Sequence, residues 1–221
     1  RLRVQEDDAF ITTNAGFLWV DVAQALVRGH FAIGQCEDVA HWGGQIFAAF
    51  GGKLYHINKR SNFNDLSLWT LALNAHVSAI APSGRTLFVA LGADQGVNAG
   101  LWSVSAPATS AVETIAAQVK PTGDWLHFDK EYRGSELHVD ADGKLLAYQR
   151  GQVVLVSPSD APSPVRTQLP NEAQCAETDG QGGWWLGFSD KGIVHRPANV
   201  VDWTVEKASQ RFGGWGPRYD L

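Results

Sequence analysis

Short hydrophobic runs alternate along this chain with polar, glycine-bearing turns, and one phrase recurs five times: apolar strand, tight glycine turn, apolar strand. The copies are Ala9–Val22, Gln45–Ile57, Thr86–Val104, Lys144–Val156 and Gly183–His195. Their second strands read Leu18-Trp19-Val20, Leu54-Tyr55-His56-Ile57, Leu101-Trp102-Ser103-Val104, Val153-Val154-Leu155-Val156 and Ile193-Val194-His195, so the first apolar anchors step by 36, 47, 52 and 40 residues. Gly16, Gly52, Gly100, Gly151 and Gly192 stand just ahead of these strands, where a hairpin asks for a residue that tolerates positive φ. The strand before each turn is also apolar: Phe10-Ile11, Ile46-Phe47, Leu87-Phe88-Val89, Leu145-Leu146 and Trp184-Trp185-Leu186.

A weaker strand precedes most of these pairs and ends in its own turn. Val39–Trp42 runs into Gly43-Gly44, Val77–Ala81 into Pro82-Ser83-Gly84, Leu137–Ala141 into Asp142-Gly143, and Gln174–Thr178 into Asp179-Gly180. In the first unit this strand is Leu2–Gln5. A more polar fourth strand follows: Val27–Ile33, Leu68–Leu73, Val112–Ala117, Val165–Leu169 and Trp203–Glu206. A half-polar outer strand suits a sheet edge that meets water. Four strands per unit at a period of about 40–50 residues predict an all-β chain, a β-propeller of five four-stranded blades. The expected blades cover residues 1–34, 35–74, 75–119, 136–170 and 171–210 of a single domain, with an insertion at 120–135 and a tail at 211–221. A β-sandwich is the alternative all-β reading, and it would not need a repeat. Helical periodicity is poor, and its best candidate, Asp21–Val27, is short.

Composition narrows the class. Hydrophobic residues make up 44% of 221, enough for cores between sheets. Lys plus Arg number 18 against 23 Asp plus Glu, a net charge of −5 with no basic cluster. Phosphate neutralisation needs clustered cations, so nucleic acid is not an expected partner. No apolar run approaches the roughly 18 residues of a membrane span. Methionine is absent, including at position 1; a cleaved secretory signal would account for this, and an extracellular or periplasmic location is expected. Cys36 and Cys175 fall on expected inner strands as buried thiols or a bridge, and neither belongs to a Cys-x-x-Cys zinc pair. No cofactor and no metal is expected.

Candidate chemistry gathers in two places. On a propeller, the turns inside the middle hairpins share one face with the links between blades, and ligands bind there because loops vary while blades stay rigid. Two insertions map to that face. Gly92–Gly100 offers Asp94 and Asn98; Lys120–Ser135 offers Asp124, Trp125, His127, Asp129, Glu131, Tyr132 and Arg133. Rings beside carboxylates suit a glycan or a peptide. The second group is the set of acids and histidines on or beside the inner strands, among them Asp38, His41, His76, Glu136, His138 and Glu177. Asp38, Glu136 and Glu177 would be the catalytic carboxylates of a five-bladed glycoside hydrolase. A polar, water-filled or structural channel is the plainer reading of the same residues. The repeat-register aromatics, Trp19 with Tyr55 and Trp102, and Phe10 with Phe47, Phe88 and Trp185, read as filling between blades. Trp215, in a glycine-rich tail, either seals a ring or contacts a partner. No phosphate loop, zinc helix or nucleophile elbow is present.

The phrases Ile80-Ala81-Pro82-Ser83-Gly84-Arg85-Thr86-Leu87-Phe88-Val89-Ala90 and Asp179-Gly180-Gln181-Gly182-Gly183-Trp184-Trp185-Leu186-Gly187-Phe188 resemble the repeats of bacterial propellers. These are the two-component-regulator sensor propellers and the neuraminidase-like repeats. The resemblance spans about four of the five units and implies a fold. It does not imply sialidase activity, because the Ser-x-Asp-x-Gly-x-Thr-Trp box is missing. The expected function is a non-enzymatic module that binds a protein or glycan through 92–100 and 120–135, alone or as a subunit of a larger assembly. The alternative is a carbohydrate-active enzyme that uses the channel carboxylates.

Overall fold

The computed structural model describes residues 1–92, 100–105, 120–121, 136–139, 145–149, 152–156, 165–168, 173–179, 181, 183–188 and 192–198. The chain divides into two compact units, Arg1–Leu137 and His138–Leu221. The described strands form successive antiparallel meanders, each built from neighbours in sequence. The first sheet is β1 (Leu2–Gln5), β2 (Asp8–Thr13), β3 (Gly16–Asp21) and β4 (Leu26–Phe31); the second is β5 (Cys36–Trp42), β6 (Gln45–Phe50), β7 (Lys53–Asn58) and β8 (Thr70–Leu73). The third is β9 (Val77–Ser83), β10 (Thr86–Leu91), β11 (Gly100–Ser105) and β12 (Lys120–Pro121). The fourth is β13 (Glu136–Val139), β14 (Leu145–Gln149), β15 (Gln152–Val156) and β16 (Val165–Gln168), and the fifth is β17 (Ala173–Thr178), β18 (Trp184–Phe188) and β19 (Gly192–Arg196).

The hairpins explain why the glycines recur. Between β6 and β7, Phe50 pairs with Lys53 across Gly51 and Gly52, whose φ values of 57° and 71° are the two left-handed positions a tight two-residue turn requires. The stretch Asp21–Val27, the best helical candidate of a sequence with poor helical periodicity, holds the end of β3, the turn at 22–25 and the start of β4, with the Gln24 amide donating to Asp21 Oδ1 at 2.9 Å. An Asp that caps its own turn offers the backbone a non-helical solution. A short 3-10 helix at Leu66–Leu68 leads into β8.

Within the first unit, three sheets stack through two cores. Phe10, Phe17, Trp19 and Phe31 of the first sheet meet Val39, Ile46, Ala48 and Ile57 of the second, with Phe63 and Trp69 completing the layer. Trp19 stacks on Phe63 with ring centroids 5.5 Å apart. On the second sheet's other face, Ala40, Trp42, Phe47, Ala49 and Leu54 meet Val77, Ile80, Leu87, Val89 and Leu91 of the third. Strands covered on both faces read as continuous apolar runs, which is why Ile46–Phe50 and Leu87–Leu91 lack alternation.

Two expectations change. The third sheet's fourth strand is Lys120–Pro121, which pairs with Ser103 and Trp102; the expected outer strand Val112–Ala117 lies outside the described residues, as do Trp203–Glu206 and Trp215. Lys120 and Pro121 therefore belong to a sheet and not to the insertion. The aromatic register also slips by one. Tyr55 lies opposite Ala48, Trp102 opposite Val89, and Leu18 opposite Ile11. Trp19 lies opposite Phe10, as His56 lies opposite Phe47 and Ser103 opposite Phe88. A slip of one residue moves a side chain to the other face, so Trp19 and Tyr55 line the first core from opposite sheets.

Candidate functional site

The third sheet positions both expected binding loops. β10 ends at Leu91, paired with Gly100 at the start of β11, and 93–99 spans that hairpin. β11 then runs away from this end, and β12 returns antiparallel beside it, so residues 122–135 depart at the end where Gly100 stands. Strand direction alone brings the two departures to one edge. The support beneath is tight. The Gly92 amide donates to the His76 carbonyl at 2.8 Å, and a Cβ on Gly92 would run into the His76 ring, which also borders Gly52. Asp94, Asn98, Asp124, Trp125, His127, Asp129, Tyr132 and Arg133 lie outside the described residues.

Asp38 has a different setting. A bulge in β5 between Cys36 and Asp38 turns this carboxylate into the fully buried centre of the first unit. It accepts five hydrogen bonds: Arg3 Nη2 at 2.7 Å and Nε at 3.3 Å, Arg1 Nη1 at 3.0 Å, and the amides of Ile80 and Val39, both at 2.9 Å. Arg3 Nη2 also donates to the carbonyls of Ile80 at 2.6 Å and Leu137 at 3.1 Å. One ion pair thus ties β1, β5 and β9 together. A buried Arg and Asp are tolerated when paired and fully hydrogen-bonded. Sequence reading did not single out Arg3, yet the signal was present: an Arg and an Asp, each inside an apolar strand, imply each other.

The other two candidate acids are divided between the units, Glu136 in the first and Glu177 in the second. Glu177 on β17 lies 3.3 Å from Nε2 of His138 on β13, both half exposed. Glu136 opens β13; its side chain lies outside the described residues. Glu177 also sits opposite Trp185, which sits opposite His195. The Trp185 and His195 rings are 4.4 Å apart. Trp185 is 41% exposed, so it is not the buried filler its repeat position suggested. Asp179 anchors the β17–β18 turn by accepting the Gln181 and Gly183 amides, both at 2.8 Å, and faces His195 Nε2 at 2.7 Å. The His195 hydrogen bond, then those amides, hold its carboxyl below the usual range.

Another polar cluster lies at the margin of the first core. Asp8 accepts from Trp19 Nε1 at 2.7 Å and Lys59 Nζ at 2.6 Å, Arg28 pairs with Asp21, and both cations sit 5.5 Å from the centre of the Trp19 ring. Every member has a partner inside the cluster. Among the described residues no group of three or more His, Cys, Asp or Glu is placed to hold a metal ion, and no helix is long and apolar enough to cross a membrane. Cys36 is a buried thiol and Cys175 an exposed one, with no disulfide between them.

Successive four-stranded antiparallel sheets of this kind define a propeller-like all-β protein. No family model and no curated protein matches the sequence. Solved structures do resemble it. PorZ, a bacterial surface component of the type-IX secretion system of Porphyromonas gingivalis, superposes with a TM-score of 0.62 at 14% identity over 92% of this chain and 26% of PorZ. The extracellular domain of BT4673 from B. thetaiotaomicron gives 0.60 at 16% identity over 91% of this chain and 29% of that one. A protein of unknown function from Bacteroides thetaiotaomicron gives 0.53 at 11% identity, over 88% of this chain and 54% of that one. The chain therefore spans between a quarter and a third of PorZ and the BT4673 domain. At these identities the likeness concerns the fold, which is shared with bacterial extracellular and surface domains.

Proposed function

We propose that this chain is a non-enzymatic binding module, extracellular or periplasmic, that captures a glycan or a protein at the edge of the third sheet from which 92–100 and 120–135 depart. The observation that carries the reading is the strand order around β10, β11 and β12, which sends both loops out at one end of a rigid sheet. In this reading Trp125 and Tyr132 cover an apolar face of the ligand, while Asp124, Asp129, Asp94 and Asn98 take its hydroxyl or amide hydrogens and His127 and Arg133 its acceptors. The setting of Asp38 speaks against the glycoside-hydrolase alternative. Asp38 has five donors and no exposure, whereas a catalytic carboxyl must reach its substrate.

The test uses the 221-residue chain on an oligosaccharide array and, separately, on an immobilised peptide library. The combined variant Asp124→Ala, Trp125→Ala, Tyr132→Ala is expected to lose the signal, while Glu177→Gln keeps it. Unchanged capture by the triple variant would overturn the reading. So would hydrolysis of an arrayed polysaccharide that Glu177→Gln abolishes.

A further inference from the structure

Both backbone groups of His41 are held by one side chain. The His41 amide donates to Gln5 Oε1 at 2.8 Å, and Gln5 Nε2 donates to the His41 carbonyl at 3.2 Å. Gln5 is the last residue of β1 and His41 lies near the end of β5, so this clasp fastens the first sheet to the second. The His41 ring lies at the same joint. His41 is two residues from Val39 on a regular stretch of β5, so both side chains leave by one face, the face that packs on the first sheet through Val39. The residue as a whole is partly buried, but its Nε2 is sealed from water and has no hydrogen-bond partner among the described residues. Such a nitrogen tolerates a neutral ring far better than a charged one. The charged groups that act on the ring come from three elements. Lys59, just past β7, opposes a proton; Asp8 on β2 and Glu6 in the turn between β1 and β2 favour one. The two acids are weakly placed. Asp8 already accepts from Lys59 Nζ at 2.6 Å and Trp19 Nε1 at 2.7 Å, and Glu6 is exposed. Burial first, then the Lys59 charge, hold His41 below the usual histidine range.

We propose that this joint is pH-operated: protonation of the His41 ring in mildly acidic solution releases the Gln5 clasp and lifts the end of β1 from β5, while the Arg3–Asp38 pair holds the rest of the strand. An imidazolium needs water or an acceptor at Nε2, and on this face of β5 water enters as the first sheet gives way. The closed and open forms of the clasp are the two states that one proton biases. In the open form the hydrated ring titrates near the ordinary value of about 6.5; in the closed form it titrates lower. The closed form is therefore fully favoured above about pH 6.5 and loses ground as pH falls toward the native value, the open-to-closed ratio rising by up to about tenfold per pH unit.

Native-state hydrogen exchange of the 221-residue chain, followed at the His41 amide from about pH 7.5 to 5 and corrected for the intrinsic rate at each pH, tests the proposal. Wild-type protection is expected to be level above about pH 6.5 and to fall by up to about tenfold per unit below it. Sub-denaturing urea should leave this opening almost unchanged, because it exposes little surface, while exchange of the Ile80 amide, which donates to Asp38, climbs with urea. His41→Phe and His41→Gln, neither of which titrates, should make the protection independent of pH. A level wild-type profile overturns the proposal. So does a slope kept by both variants, a His41 amide that follows the Ile80 amide in urea, or a His41 imidazole signal that titrates at or above about pH 6.5. The wild-type profile, the urea comparison and the ring titration decide the matter even where a variant fails to fold.

Discussion

Asp38→Asn is the sharpest perturbation of this molecule, because the change in shape is small and the change in bonding is large. Oδ2 of Asp38 receives Arg3 Nη2, Arg1 Nη1 and the Ile80 amide; Oδ1 receives Arg3 Nε and the Val39 amide. Whichever way an asparagine amide turns, its NH2 group faces donors. The Arg3 guanidinium, nearly inaccessible to water, also loses its counter-charge. Breaking a buried pair by altering one partner costs about 3–5 kcal/mol. For a chain of this size each kcal/mol moves Tm by about 2–4 °C, so the midpoint should fall by roughly 6–20 °C. The assay is thermal and urea unfolding combined with hydrogen exchange of the β5 and β9 amides, which reports on the unit Arg1–Leu137. Arg3→Met should cost a similar amount. Arg1→Ala should cost less than about 1 kcal/mol, in the manner of a more exposed pair. A loss below about 1 kcal/mol for Asp38→Asn would refute the account of Asp38 as the tie between strands. A catalytic acid would show the reverse pattern, with stability kept or gained and turnover lost.

Two further outcomes follow from the same physics. Burial by itself pushes the Asp8 carboxyl up, but hydrogen bonds from Lys59 and Trp19, together with the Lys59 and Arg28 charges, outweigh it and hold it below the usual range. A lowered native value means a contribution that is complete above the unfolded value of about 4 and is lost as pH falls through the native one. Urea midpoints between pH 6 and 2 should therefore show Lys59→Met less stable than wild type at pH 6, with the gap closing below about pH 4; a gap independent of pH would contradict this. Burial, with the Asp38 and Glu37 charges behind it, pushes the Cys36 thiol well up, while Cys175 is exposed. One thiol of two should react with Ellman's reagent in the native protein and the second only after denaturation; two rapid equivalents would refute the placement of Cys36.

Much of this architecture was open to reading before any coordinates. Local chemistry sets strand and turn: Gly51-Gly52 admits a tight hairpin and little else, and Leu2–Gln5, read as the first strand from pattern alone, is β1. Aromatic register was harder. Trp19 and Tyr55 look equivalent when anchored on their leucines, yet the hairpin pairs Leu18, not Trp19, at the Tyr55 position. Hydrophobic pattern gives a strand's period but not its phase against a neighbour, which turn geometry decides. Trp185 shows a related gap, since a large ring reads as core until its neighbours are known.

From sequence alone came the all-β class and the recurring strand–turn–strand hairpins, because these depend on residues a few positions apart. The joining of Arg3 to Asp38 and Ile80 came only with the tertiary structure. These are contacts between segments 35 and 77 residues apart, and no local propensity records which distant strand a side chain will meet.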